Sequence, residues 1–193
     1  MSAGYSMLHF APEYFIQRRF KRLPDLRYVS ADLDSPLAMD RVDITRMPYE
    51  ERSFDVVICS HVLEHVGDDL QALREMRRVL TPSGRAIVMS PIDWTRELTL
   101  EDPSVTAPED RHRVFGQSDH VRLYGRDFQE RLKAAGFDVS VERYLERLDE
   151  GLIRRYGLRR EDALFGHEPI FVCAPSGRDA GHTPAVSGSL SSP

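Results

Sequence analysis

The chain contains no asparagine, one tryptophan, two cysteines and only two lysines (Lys21 and Lys133) among its 26 basic residues. The arginine excess reads as a GC-rich coding bias rather than as function. Cys59 and Cys173 lie in the apolar runs DVVICS and PIFVCA, which favours buried free thiols over a disulfide or a metal pair. Long hydrophobic runs are missing too. Nothing approaches the roughly 20 apolar residues of a spanning helix, and MSAGYSMLHF lacks the basic and long apolar regions of a secretory leader. A cytoplasmic protein with no membrane partner is expected. An excess of positive charge is also absent: 26 basic against 31 acidic residues give a net charge of −5. That offers no overall electrostatic grip on nucleic acid, and no nucleic-acid partner is expected. Ordinary glycine and proline content (12 each), with 41% hydrophobic and 30% charged residues, excludes collagen-like, coiled-coil and mostly disordered chains. The 193 residues suit one globular domain with a sizeable core.

What is present alternates. Short β-branched runs and helical patterns succeed each other through the N-terminal two thirds, the mark of a parallel sheet covered by helices. SMLHF reads as a first strand. A helix follows from Pro12 to Leu23, with Ile16, Phe20 and Leu23 facing the sheet. LRYVSADL is a second strand and RVDI a short third. SFDVVICS reads as a central strand, because Val56-Val57-Ile58-Cys59 is apolar without alternation. Asp68 or Asp69 caps a helix to about Leu80, with Leu70, Leu73, Met76 and Leu80 inward. TPSG is a turn and RAIVMSP a fifth strand. From Ile92 to Val121 periodicity fades into a polar insertion, of the length usual for lids and binding loops. Asp127–Ala135 is helical, stopped by Gly136, and FDVSVERY and PIFVCA are the last strands. The domain therefore spans residues 1–174, and the Gly/Pro/Ser-rich tail, 175–193, is expected to be disordered.

Open parallel sheets bind ligands beyond the carboxyl ends of their strands, near the point where strand order reverses. Asp32, Asp43 and Ser60 each fall at such an end. An acid after the second strand is placed to accept hydrogen bonds from ribose hydroxyls. One after the third can accept from an adenine amine, with Ile44 against the ring. Singly, each aspartate is as well explained as a turn cap; jointly their spacing points to a nucleoside.

The same stretch carries Met47-Pro48, Ser53-Phe54-Asp55-Val56-Val57 and His61-Val62-Leu63-Glu64-His65, followed by LREMRRVLTPSGRAIVMSP. This resembles the core of class I S-adenosylmethionine-dependent methyltransferases, especially the type 11-like group. The resemblance runs from about Ser6 to Ala174, with Phe54–Pro91 its specific part. It implies an α/β fold: a Rossmann-like, seven-stranded, mostly parallel sheet with helices on both faces and an antiparallel last strand. It also implies S-adenosyl-L-methionine as cofactor and methyl donor. By position, Asp32 matches the family's ribose-binding acid, Asp43 its adenine-binding acid with Ile44 stacking, and Ser60 and His61 the loop that touches donor and acceptor. The first loop departs from the family's D-x-G-x-G. Here it reads Leu8-His9-Phe10-Ala11-Pro12-Glu13, with His9 in place of the acid and Ala11 and Glu13 in place of glycines. Pro12 brings no N–H. His9, Ala11 and Glu13 are nonetheless assigned to the cofactor, Glu13 as a partner for its ammonium. Many relatives cover the acceptor with helices ahead of the first strand. Here the site is expected to be open, or closed by the Ile92–Val121 insertion or by the second subunit of a homodimer.

Two further clusters carry chemistry. His61-Val62-Leu63-Glu64-His65 also matches H-x-x-E-H, in which two histidines one helical turn apart bind zinc and the glutamate activates water. The upstream strand fits the methyltransferase context instead, and no metal is expected. The blander alternative has His61 facing the cleft and His65 structural. In the insertion, His120 is a candidate general base, with a reference pKa of about 6.5. Arg122 is placed to hold a carboxylate or phosphate of the acceptor, and Trp94 and Tyr124 to form a stacking wall. The competing explanation is a loop-anchoring pair between Asp119 and Arg122, with Tyr124 in the core. The functional expectation is methyl transfer to an oxygen, nitrogen or carbon of a small-molecule acceptor, with a biosynthetic hydroxyl or carboxyl favoured. His120, Arg122 and His61 are the expected catalytic residues. The alternative, motivated by the first loop, is a degenerate methyltransferase fold acting as a binding or regulatory module, or a cofactor-holding enzyme of different chemistry.

Overall fold

The protein is described by a computed structural model covering residues 4–156 and 169–177. Its elements run β1 (Tyr5–Phe10), α1 (Tyr14–Phe20), β2 (Leu26–Asp32), β3 (Asp40–Arg41), β4 (Phe54–Ser60), α2 (Asp69–Val79) and β5 (Leu80–Met89). There follow β6 (Leu100–Glu101), α3 (Pro108–Phe115), β7 (Arg122–Leu123), α4 (Phe128–Ala134), β8 (Phe137–Glu142), α5 (Glu150–Tyr156) and β9 (Ile170–Pro175). The main sheet has seven strands in the order β3-β2-β1-β4-β5-β9-β8. β1 to β5 are parallel and β9 is antiparallel to both neighbours, as expected for the Rossmann-like class. Strand order reverses between β1 and β4, so a ligand crevice belongs above the carboxyl ends of those two strands.

The central strands are where the sequence placed them. Val57 and Cys59 of β4 and Ala86 and Val88 of β5 are fully buried. Both cysteines are free and buried, and burial pushes the Cys173 thiol up to about 12. The Asp68 side chain caps α2 by accepting from the Gln71 amide at 2.9 Å, and Leu73 and Met76 face the core. At the other end of the sheet, Gly136 stops the chain after α4 at φ +91°. A Cβ there would lie 2.8 Å from the Arg77 side chain.

Five local expectations are corrected. The first helix is only seven residues long, and Ile16 and Leu23 are exposed while Gln17 is buried. Gln17 turns inward because its amide is satisfied there: Nε2 donates to the Leu37 carbonyl at 2.9 Å and Oε1 accepts from Ser30 Oγ at 3.1 Å. The third strand is Asp40–Arg41 rather than RVDI; Val42 and Ile44 leave the sheet and bury their side chains. TPSG is not a free turn but part of β5, where Phe54 pairs with Leu80 and Val56 with Arg85 across a bulge. The Ile92–Val121 insertion carries β6 and α3, and β6 pairs with β7 as a separate antiparallel ribbon. At the C-terminal boundary β9 runs to Pro175, and the Ser176 amide donates to the Gly136 carbonyl at 2.9 Å, which carries the domain past residue 174. The remainder of the predicted tail, 178–193, lies outside the described residues. No helix among the described residues is long and apolar enough to cross a membrane.

Candidate functional site

A cleft of about 760 Å³ opens above the carboxyl ends of β1, β2 and β4, at the reversal of strand order. Phe10 and Ala11 border it from β1, Asp32 from β2, Asp43 and Ile44 from the segment after β3, and His61 and His65 from the loop after β4. Two of these residues have left-handed backbones, Ala11 at φ +48° and His61 at φ +52°. Non-glycine residues adopt that region at a cost, and such strain gathers where a site needs an exact turn. In the first loop Ala11 makes the turn that a family glycine would make, and its amide donates to the Ala31 carbonyl at 3.1 Å.

The two aspartates use half of their acceptor capacity. Asp32 Oδ1 accepts from the amides of Asp34 at 2.8 Å and Ser35 at 2.7 Å. Asp43 Oδ1 accepts from the Thr45 amide at 2.8 Å and its hydroxyl at 2.7 Å. In both, Oδ2 has no hydrogen bond among the described residues. The turn-capping role and a ligand role are therefore compatible: one oxygen fixes the side chain and the other is available. Ile44, nearly buried, forms an apolar wall beside Asp43.

Other assignments change. His9 is 1% exposed and does not reach the cleft. Its Nδ1 lies 2.9 Å from the Tyr28 hydroxyl and its Nε2 3.1 Å from Glu13, with Phe20 and Tyr28 packed edge-on around it. Burial lowers its pKa, with Glu13 opposing. Glu13 pairs with His9 through Oε2 and, although half exposed, is not among the residues lining the cleft. Ser60 ends β4 opposite Met89 and is not part of the cleft wall, whereas His61 is.

His120 is 7% exposed and sits behind His65, the two rings edge-on at 4.7 Å between centroids. Its Nδ1 lies 3.2 Å from the Phe115 carbonyl, and burial, then the neighbouring His65, lower its pKa. It does not border the cleft as a free base would. Arg122 is 4% exposed and engages four of its five N–H donors within the fold. Nε donates to Glu101 at 2.5 Å, Nη1 to the carbonyls of Leu63 (2.8 Å) and Val66, and Nη2 to the Gly67 carbonyl at 2.9 Å. It holds the His61–Gly67 loop against β7, buried and away from the cleft lining. Tyr124 is core, as its bland alternative had it, but its hydroxyl donates to Asp69 at 2.8 Å. Asp119 pairs with His65 at 3.2 Å, not with Arg122. Trp94 is partly buried against the core.

The H-x-x-E-H segment is no α-helix. His61 is left-handed and only Leu63–His65 make a single 3₁₀ turn, so His61 and His65 do not face one another across a helical turn. Glu64, read in the sequence only as the glutamate of the zinc motif, is a buried acid beside His61. It is 2% exposed, accepts from Ser90 Oγ at 2.9 Å, and its Oε1 lies 3.4 Å from His61 Nδ1. A second buried acid, Asp69, reads in the sequence only as a helix cap. It receives Arg131 at 2.9 and 3.0 Å as well as Tyr124, tying α2 to α4. Burial works to raise the Asp69 carboxyl, but Arg131, Arg122 and Tyr124 hold it below its usual range.

Residues 14–88 match the family model described as a methyltransferase domain. Among curated relatives, ajmaline N-methyltransferase of Rauvolfia serpentina is 30% identical over 115 residues, covering 56% of this chain and 39% of that protein. The 27-O-demethylrifamycin SV methyltransferase of Amycolatopsis mediterranei is 27% identical over 152 residues, covering 77% and 54%. The chain thus spans about half or less of the length of these relatives. The crystal structure of the [4+2]-cyclase SpnF superposes with a TM-score of 0.62 at 16% identity, covering 92% of this chain and 78% of that one. At that identity the likeness is one of fold.

Proposed function

We propose that this chain, a member of the class I S-adenosylmethionine-dependent methyltransferase family, transfers a methyl group to an oxygen, nitrogen or carbon atom of a small-molecule acceptor. The observation that carries the reading is the pair of aspartates at the carboxyl rim, each with one oxygen fixed and the other unused beside an apolar wall. That donor set suits a nucleoside. Asp32 Oδ2 accepts from vicinal hydroxyls, Asp43 Oδ2 accepts from an exocyclic amine, and Ile44 covers the ring face. S-adenosylmethionine, when bound, supplies a methyl carbon made electrophilic by its sulfonium.

The chain's own work is alignment and proton handling. An in-line displacement needs the nucleophile held in reach and, for a hydroxyl or amine, relieved of its proton. His61 is the histidine at the cleft wall with its Nδ1 beside a buried carboxylate, Glu64. Glu64 orients the ring and supports the imidazolium that forms when His61 takes a proton from the acceptor. Arg122 and its three carbonyl contacts keep that loop in place. Fold alone does not choose the reaction, and a cofactor-holding enzyme of different chemistry remains the competing reading. S-adenosylhomocysteine is expected to raise the melting temperature of the protein, and Asp43→Ala to remove most of that rise, measured from the variant's own unliganded melting temperature, which loss of the Thr45 hydrogen bonds lowers. An equal rise in the variant would contradict the nucleoside reading.

A further inference from the structure

We propose that Glu64, His65 and His120 form a binding site for a divalent transition-metal ion, zinc in the first instance, at the edge of the cleft. One ligating atom from each of the three lies within 4.8 Å of the others. The site is not the zinc motif suggested by the spacing of His61 and His65: His120, from the far end of the insertion, takes the place of His61.

Three features support it. Both imidazoles are engaged through Nδ1, His65 to the Asp119 carboxylate at 3.2 Å and His120 to the Phe115 carbonyl at 3.2 Å. A neutral histidine whose Nδ1–H is so held presents Nε2 as a lone pair, and carboxylate and carbonyl partners of this kind typically orient metal-bound histidines. Glu64 is likewise fixed, by Ser90 Oγ at 2.9 Å; a carboxylate has about four acceptor positions, so this bond and the His61 contact leave others free. Two imidazoles and one carboxylate are also a donor set that zinc and its neighbours favour. Tetrahedral ligands at about 2.0–2.1 Å from zinc lie about 3.3 Å apart, so ligand atoms separated by up to 4.8 Å must draw together on binding. His65, 31% exposed, is the ligand with room to move.

Burial is asymmetric. Glu64 and His120 are buried, whereas His65 borders the cleft. A cation held by these three keeps a fourth position toward the cleft, where an acceptor bearing a hydroxyl or carboxylate oxygen can ligate. The cation's role in acceptor binding rests on the proposed methyl transfer; the site itself does not.

Chelator-stripped full-length protein is titrated with Zn²⁺ against a chromophoric chelator, in the absence of S-adenosylmethionine, and with Co²⁺ followed by visible absorption. One equivalent is expected, with His65→Gln, His120→Gln and Glu64→Gln each weakening binding by about 10-fold or more, as loss of a ligand should exceed the loss of an outer-shell partner. His112→Gln, on the exposed face of α3, should bind as the parent does. Circular dichroism confirms that each variant is folded; His65→Gln, partly exposed, keeps the test decisive if the buried variants are not. Zinc affinity that is undetectable, or unchanged in folded His65→Gln, overturns the site. S-adenosylhomocysteine binding is measured on the same stripped protein, so failure of the metal site and failure of the nucleoside site give separate results.

Discussion

Arg122 Nη1 donates to the Leu63 carbonyl at 2.8 Å, across a separation of 59 residues. Through it, the end of the insertion holds the loop after β4, which carries His61, Glu64 and His65. Arg122 also faces Glu101 and Asp69, which it shares with Arg131. Burial works against its charge, yet Tyr124, Glu101 and Asp69 together raise its pKa.

Arg122→Met should therefore cost stability before anything else. Removing one partner of a buried charged network typically costs about 3–5 kcal/mol, because carboxylates and carbonyls are left without donors. Urea denaturation should show a large fall in the midpoint. A variant of parental stability with a raised KM for the acceptor would instead restore the role that the sequence suggested for this arginine.

Ala11→Gly should stabilise the protein. A left-handed alanine costs about 1–2 kcal/mol, and glycine's greater freedom in the unfolded chain returns part of that. A net gain of about 0.5–1 kcal/mol is expected, read as a higher melting temperature. A loss would mean that the alanine methyl makes packing contacts worth more than the strain at φ +48°.

His9 makes stability depend on pH. Its folded pKa is lowered from the ordinary 6.5, by burial against the opposing Glu13. Between the folded value and 6.5 the unfolded chain binds the extra proton, so stability rises with pH through that window. The contribution is complete above about 6.5 and is lost as pH falls toward the folded value. His9→Gln should flatten this part of the stability curve, measured as the urea midpoint from about pH 7.5 to 5. An unchanged slope would show that other groups dominate acid sensitivity.

The sheet was legible where burial is simple. The unbroken apolar run of β4 and the Asp68 cap of α2 leave few alternatives, because the signal for each lies within a few consecutive residues. α1 was misread because periodicity treats every apolar face as a core face, whereas Gln17 found polar partners inside and displaced Ile16 and Leu23 to the surface. The site divides the same way. Asp32 and Asp43 border the cleft as their strand ends suggested, since a turn cap at a carboxyl end also faces the crevice. The roles of His9 and Arg122 were not legible, because they depend on partners brought from 19 and from 55 to 59 residues away. Nothing in the local pattern separates an arginine that binds a ligand from one that binds its own backbone.

Calorimetric titration of the full-length chain with S-adenosylhomocysteine tests the central claim most directly. Saturable one-to-one binding is predicted, weakened by about 10- to 100-fold in Asp32→Ala, the loss expected for hydrogen bonds to a charged group of about 1.5–3 kcal/mol. No binding at millimolar ligand, or equal affinity in Asp32→Ala, would contradict the account.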